Sequence, residues 1–141
     1  MLTPGRRELY VNLPVADPAA SRAFFGGLGF AFEPRFSNDA AACMIVGERA
    51  YVMLLQRSFF QTFTPRAICD TSRSLQGLLA FSAGSRREVD AVVDRAVEAG
   101  GAEAREPTDH GFMYGRSFFD PDGHQWEVLW VEPQAATGGR A

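Results

Sequence analysis

The sequence contains no lysine. All 14 of its basic residues are arginine, which excludes Schiff-base and lysine-base chemistry and any phosphate loop ending in Gly-Lys-Ser/Thr. Histidine is nearly as scarce. With only His110 and His124, one chain cannot build a three-histidine zinc site, although two histidines and a carboxylate would just suffice for iron. The two cysteines, Cys43 and Cys69, form no CxxC pair and read as reduced thiols, Cys43 as core. A broad basic field is absent as well: the formal net charge is -3, so nucleic acid is not expected as a partner. No run approaches the roughly 20 apolar residues that span a bilayer, and no signal-peptide pattern opens the chain. The expectation is a cytoplasmic protein with no membrane partner.

What is present suits one ordinary globular domain. The chain has 141 residues, 46% hydrophobic and 22% charged, enough to bury a core without disulfide staples. Its 12 phenylalanines point to an aromatic core or pocket. Two glycine-containing stretches carry no known chemistry. Gly27-Leu28-Gly29 follows a helix and lacks the third glycine of a dinucleotide fingerprint, and Gly115-Arg116-Ser117 runs straight into Phe118 and Phe119, so it is no nucleophile elbow.

The chain says the same thing twice. Residues 8–15 read as a strand; Asp17 then caps a helix of about ten residues that begins at Pro18, carries Ala20, Ala23, Phe24 and Leu28 on one face, and ends at Gly26, Gly27 and Gly29. Extended segments follow over 30–36, 42–46 and 51–56. From residue 75 the order repeats. A strand over 78–83 leads to Ser85 with Glu88 three residues on, a capping-box pattern, and then to a helix with Val89, Val92, Val93, Ala96 and Val97 as its apolar stripe. Gly100 and Gly101 stop that helix. Extended segments follow over 102–106, 114–119 and 125–131, the last two joined by the tight turn Asp120-Pro121-Asp122-Gly123. Leu13 corresponds to Phe81, Pro34 to Pro107, and the strand at Met53 to the strand at Glu127. The expected modules are about 6–57 and 75–133. Between them, 58–74 is a linker, a lid or a dimer contact, and the polar tail 134–141 is expected to fray.

This duplication resembles the vicinal oxygen chelate superfamily, which comprises glyoxalase, bleomycin-resistance and extradiol-dioxygenase proteins. The resemblance rests on Leu13-x-Val15-x-Asp17 ahead of an amphipathic helix, on Phe24-Phe25 and Leu28-Gly29-Phe30 at its end, and on Asp120-Pro121-Asp122-Gly123-His124-x-x-Glu127 at the final hairpin. It implies an α+β fold of two tandem βαβββ modules whose curved sheets form a cleft, in a single domain over 1–141 that forms a homodimer. It also implies a divalent metal (Mn, Fe, Ni or Zn) with Glu127 as a ligand. The other ligand positions carry Tyr10, Leu78 and Met53, and neither Leu nor Met suits such ions.

Within that frame, alternation puts Tyr10 and Asn12 in the cleft and turns Trp126, Val128 and Trp130 toward the helices. Polar residues gather in Asp109-His110-Gly111-Phe112-Met113-Tyr114-Gly115-Arg116. Glu127, His110 and Tyr114 are the candidate catalytic residues, Glu127 as base or ligand and His110 as proton carrier. Tyr10, Asn12, Phe112 and Arg116 are the candidate substrate-binding residues. Arg116 either forks onto a carboxylate or phosphate of the ligand or pairs with Glu127 or Asp109. By resemblance, the function is that of a small-molecule enzyme of lyase or isomerase type. The alternative is a non-catalytic, drug-binding protein of the bleomycin-resistance kind, and an Fe(II) ring-cleaving dioxygenase is the third reading.

Overall fold

The computed structural model describes residues 3–133, so the tail 134–141 lies outside the described residues. The chain divides into two compact units between Ile68 and Cys69. Among the described residues, no helix is long and apolar enough to cross a membrane.

The first unit holds β1 (Leu9–Val15), α1 (Pro18–Gly27), β2 (Ala31–Phe32), a 3-10 turn (Pro34–Phe36), β3 (Ala41–Gly47), β4 (Ala50–Gln56) and the short α2 (Arg57–Gln61). Its sheet runs β1-β4-β3-β2. Asp17 caps α1 as the sequence predicts, its carboxylate accepting from the Ala19 N–H at 3.0 Å. Phe24, Phe25 and Leu28 of this region are buried, as are Leu13, Val15, Met44 and Leu54 of the sheet, each side chain adding roughly 1.5–3 kcal/mol to the core.

The second unit holds β5 (Leu78–Ser82), α3 (Arg86–Glu98), β6 (Ala102–Glu103), β7 (Thr108–Asp109), β8 (Met113–Phe119) and β9 (Gln125–Val131). Its strands run β5-β9-β8-β6, with β7 also pairing with β8. Ser85 caps α3 by accepting from the Glu88 N–H at 3.1 Å. The Glu88 carboxylate reaches back one residue further than a standard capping box, to the Gly84 N–H at 3.0 Å. Val89, Val93 and Ala96 on the inner face of α3 are fully buried.

The internal repeat extends to strand register. In the first unit β1 lies parallel to β4 with Asn12 opposite Met53 and Leu13 opposite Leu54. In the second, β5 lies parallel to β9 with Ala80 opposite Glu127 and Phe81 opposite Val128. Two expected strands are shorter than the sequence suggests. Pro34 has no N–H to give a ladder, and Glu33 accepts from the Arg35 N–H, so 30–36 pairs over two residues and then curls into the 3-10 turn. The segment 102–106 likewise pairs only at Ala102 and Glu103, and pairing with β8 resumes at Thr108 after Pro107. The intervening 58–74 splits between the units: α2 with Phe59 edge-on to Phe63 belongs to the first, and Thr71, whose hydroxyl donates to the Asp122 carbonyl, belongs to the second.

The turn between β8 and β9 is built around the Asp120 carboxylate. It accepts from the N–H groups of Asp122 at 2.9 Å and His124 at 3.1 Å and from the Trp126 indole at 3.0 Å. Burial pushes its pKa above the ordinary carboxyl value, against the opposing pull of these donors and of His124. Gly123 has φ +87°, and a Cβ there would stand 2.7 Å from the Thr71 carbonyl oxygen. Only glycine meets both demands.

Two arginines tie α3 to the sheet. Arg86 grips both Asp109 oxygens at 2.8 and 2.9 Å and stacks over Tyr114 and Trp130 at 5.1 and 5.2 Å. Arg116 holds Asp90 at 3.0 Å, Asp94 at 2.9 Å and Glu103 at 3.2 Å.

Two outcomes are expected from this architecture. Gly123→Ala should destabilise the protein by about 2 kcal/mol or more in urea melts, from the positive φ and the Thr71 contact. Gly26→Ala, in α1 with no atom within 4 Å of the added Cβ, should stabilise it by about 0.5–1 kcal/mol. The hydrogen bonds from Arg86 and then from the Gly111 N–H hold the Asp109 carboxyl at about 2, below its ordinary 3.8. Because the folded pKa is depressed, the contribution of this pair is complete above about pH 4 and is lost as pH falls through about 2. The stability difference between the wild type and Asp109→Asn should therefore shrink over that window, and a carboxyl-carbon NMR titration should give an Asp109 midpoint near 2.

Candidate functional site

The β8–β9 register decides which side chains share a face. Ser117 lies opposite Glu127 and Arg116 opposite Val128, and alternate residues of a strand point to opposite sides. Tyr114 and Arg116 bond to Asp90 and Asp94 of α3, so that side faces the helix. Gly115, Ser117, Glu127 and Leu129 therefore lie on the helix-free side. A Cβ at Gly115 would come within 2.8 Å of Leu129 Cδ2, which confirms that these two share a face.

Glu127 is the ionisable group of this face. It is 8% exposed, and both of its oxygens are engaged. Arg105 Nη2 donates to Oε1 at 2.8 Å and Gln125 Nε2 to Oε2 at 2.9 Å. Arg105 in turn donates from Nη1 to Thr108 Oγ1 at 2.9 Å. Ser117 is fully buried, and among the described residues its hydroxyl has no hydrogen-bond partner, an uncommon state for a buried polar group.

The residues singled out from the sequence fall into four places. Glu127 stands on the helix-free face. Tyr114 and Arg116, expected beside it, lie on the other side of the same sheet, where Asp90 accepts from both, at 2.7 Å and 3.0 Å. This corrects both expected pairings of Arg116, whose partners are Asp90, Asp94 and Glu103 rather than Glu127 or Asp109. Burial opposes the charge on Arg116, but the three carboxylates more than offset it and raise its pKa. The bond to Asp90, and then burial, raises the Tyr114 phenol. His110 and Phe112 sit exposed between β7 and β8 with their rings stacked at 6.3 Å. Tyr10 and Asn12 belong to the first unit. Tyr10 stacks on Tyr51 at 4.9 Å and donates to Glu8 at 3.2 Å, and Asn12 donates to the Tyr10 carbonyl at 3.4 Å.

Arg105 was not among the residues the sequence singled out. It sits where pairing lapses between β6 and β7, a place no periodicity marks. The only signal was Arg105 and Glu106 directly before Pro107, which breaks the strand and frees the side chain to turn. A groove of about 660 Å³ runs along this margin, lined by Glu103, Arg105, Glu106, Pro107, Tyr114 and Arg116. Its Arg116 end is already neutralised by carboxylates.

The donor set around Glu127 does not fit a divalent metal. Its neighbour across β5 is Ala80 and across β8 is Ser117, and a guanidinium occupies one of its two oxygens. Such ions want three or four protein ligands and no adjacent fixed cation. Among the described residues, no three His, Cys, Asp or Glu side chains cluster closely enough to hold one. His124 belongs to the buried turn, its backbone N–H donating to the Asp120 carboxylate at 3.1 Å and its carbonyl accepting from the Asp120 N–H at 2.9 Å.

Comparison with known proteins gives the fold a family. No curated protein matches the chain. A hypothetical protein from S. aureus superposes with a TM-score of 0.75 at 28% identity, over 88% of this chain and 93% of that one. A glyoxalase-related enzyme from Fulvimarina pelagi gives 0.73 at 26% identity, over 89% and 88%. A glyoxalase/bleomycin resistance protein/dioxygenase family enzyme from Burkholderia phytofirmans gives 0.71 at 19% identity, over 86% and 96%, a likeness of fold alone. The family profile itself matches residues 9–128, and on that match, carried by two curved sheets with this strand order, the chain belongs to the Glyoxalase/Bleomycin resistance protein/Dioxygenase superfamily.

Proposed function

We propose that this protein binds a small organic molecule, without a metal, on the helix-free face of its second sheet, with Glu127 and Arg105 as polar anchors. The observation that carries this reading is the pair itself: a nearly buried carboxylate in mid-strand, matched by one half-exposed arginine and adjoined by a buried hydroxyl with no partner. Burying ionised groups costs several kcal/mol each, and hydrophobic side chains would fill the sheet more stably. Met113, Phe119 and Leu129, half-buried on the same face, supply apolar wall. Small-molecule sites combine such a wall with a few fixed polar groups.

A catalytic role of lyase or isomerase type is the second reading, favoured by the seclusion of Glu127 from water. In that reading the Glu127 carboxylate takes a proton from a carbon next to a carbonyl, and Arg105 faces the oxygen on which negative charge develops. The two readings share a site and differ in turnover.

The test is a ¹⁵N–¹H NMR screen of small acids, amides and alcohols. Shifts from any binder should concentrate at Arg105, Ser117 and the residues around Glu127. Arg105→Gln should weaken binding about tenfold or more, the worth of a charge-assisted hydrogen bond, while Arg116→Gln should lower stability and leave affinity unchanged. Binders that move Tyr114 and Arg116 while leaving Ser117 and Leu129 unmoved, or that ignore Arg105→Gln, would contradict the proposal.

A further inference from the structure

We infer that the molecule taken at this site carries a carboxylate and that Arg105 is the side chain that selects it. The inference rests on the reading above and adds the chemical class of the ligand. It begins from what each member of the Arg105–Glu127 pair has left to offer. Both oxygens of Glu127 already accept strong hydrogen bonds, and its side chain is 11% exposed. The Arg105 side chain is 52% exposed. Of the five N–H donors of a guanidinium, it spends one on Glu127 and one on Thr108, so among the described residues three remain. The part of the pair turned toward an incoming molecule is therefore the cation.

Its geometry is set before the ligand arrives. Glu127 holds the guanidinium at Nη2 and Thr108 holds it at Nη1, which fixes the plane of the fork. A planar fork with spare donors matches a carboxylate, and restraint beforehand removes part of the ordering cost of binding. Glu103, which lines the neighbouring groove, is engaged with Arg116. Ser117 is the independent sign that this face lacks a polar partner. Among the described residues its buried hydroxyl has no hydrogen-bond partner, whereas the hydroxyl of Thr108 on the same sheet accepts from Arg105.

Three shape-matched pairs test the inference: benzoate against benzamide, pyruvate against pyruvamide, and 3-phenylpropionate against its amide. Each is titrated to its solubility limit against the ¹⁵N-labelled protein. At least one acid should bind with shifts at Arg105 and Ser117, and about tenfold more tightly than its amide. Arg105→Gln should abolish the preference for acid over amide, and Arg105→Lys, which keeps the charge but not the fork, should lose most of it. Because Arg105→Gln leaves Glu127 unpaired and can unfold the protein, Thr108→Val serves as a second variant. It keeps both charges, frees one end of the fork, and should reduce the acid-to-amide ratio several-fold in a protein whose spectrum is otherwise unchanged. An acid and its amide binding equally on this face would overturn the ligand class and leave the site standing. An unchanged ratio in folded Arg105→Gln would overturn the role of Arg105. Failure of every probe to move this face would overturn the site as well.

Discussion

The Asp120 carboxylate governs the second unit. By accepting from two turn N–H groups and the Trp126 indole, it sets where β8 stops and β9 begins, and so sets Ser117 opposite Glu127. A slip of one residue in that pairing would exchange the faces of every side chain on β9. Glu127 would then face α3, and Trp126 and Val128 would leave the core. Gly123 and Thr71 close the same turn from outside, which joins the segment after Cys69 to the hairpin. The placement of Glu127 on one side of the sheet and helix packing on the other both follow from this one buried acid.

The absence of lysine shows in how the charges are used. Arg86 stacks between Tyr114 and Trp130 while gripping Asp109 with two parallel hydrogen bonds. Arg116 satisfies three carboxylates from two different elements. A compact ammonium can do neither, because both tasks need a flat, many-donor cation. Arg105 uses the same property at the margin of the sheet, where its two outer nitrogens hold Thr108 and Glu127 at once. The unit thus pairs its arginines with carboxylates on both sides of one sheet.

Much of this was legible in the letters. Asp17 and Ser85 as caps, the glycines after both helices, the Asp-Pro-Asp-Gly turn and the doubled strand order each have a local physical cause, and each appears where its residues predict. The family resemblance drew on the same stretches. Less legible was the direction of side chains in 109–116. His110, Tyr114 and Arg116 look like one constellation along the chain. Strand alternation counted back from the hairpin would already have sent Tyr114 and Arg116 away from Glu127. The carboxylates that hold Arg116 come from α3 and β6, and their approach depends on packing rather than on spacing. Arg105 was hidden for another reason: its reach to Glu127 depends on the lapse in pairing before Pro107, which no repeat or motif encodes.

The central claim is that Arg105, and not a metal ion, answers the charge of Glu127. The most direct measurement is the metal content of the protein, purified without a histidine tag and equilibrated separately with Mn, Fe(II), Ni and Zn before exhaustive gel filtration. The account predicts no stoichiometric ion in any sample and the same content in Glu127→Gln. One equivalent of an ion in the wild type, lost in Glu127→Gln, would contradict it.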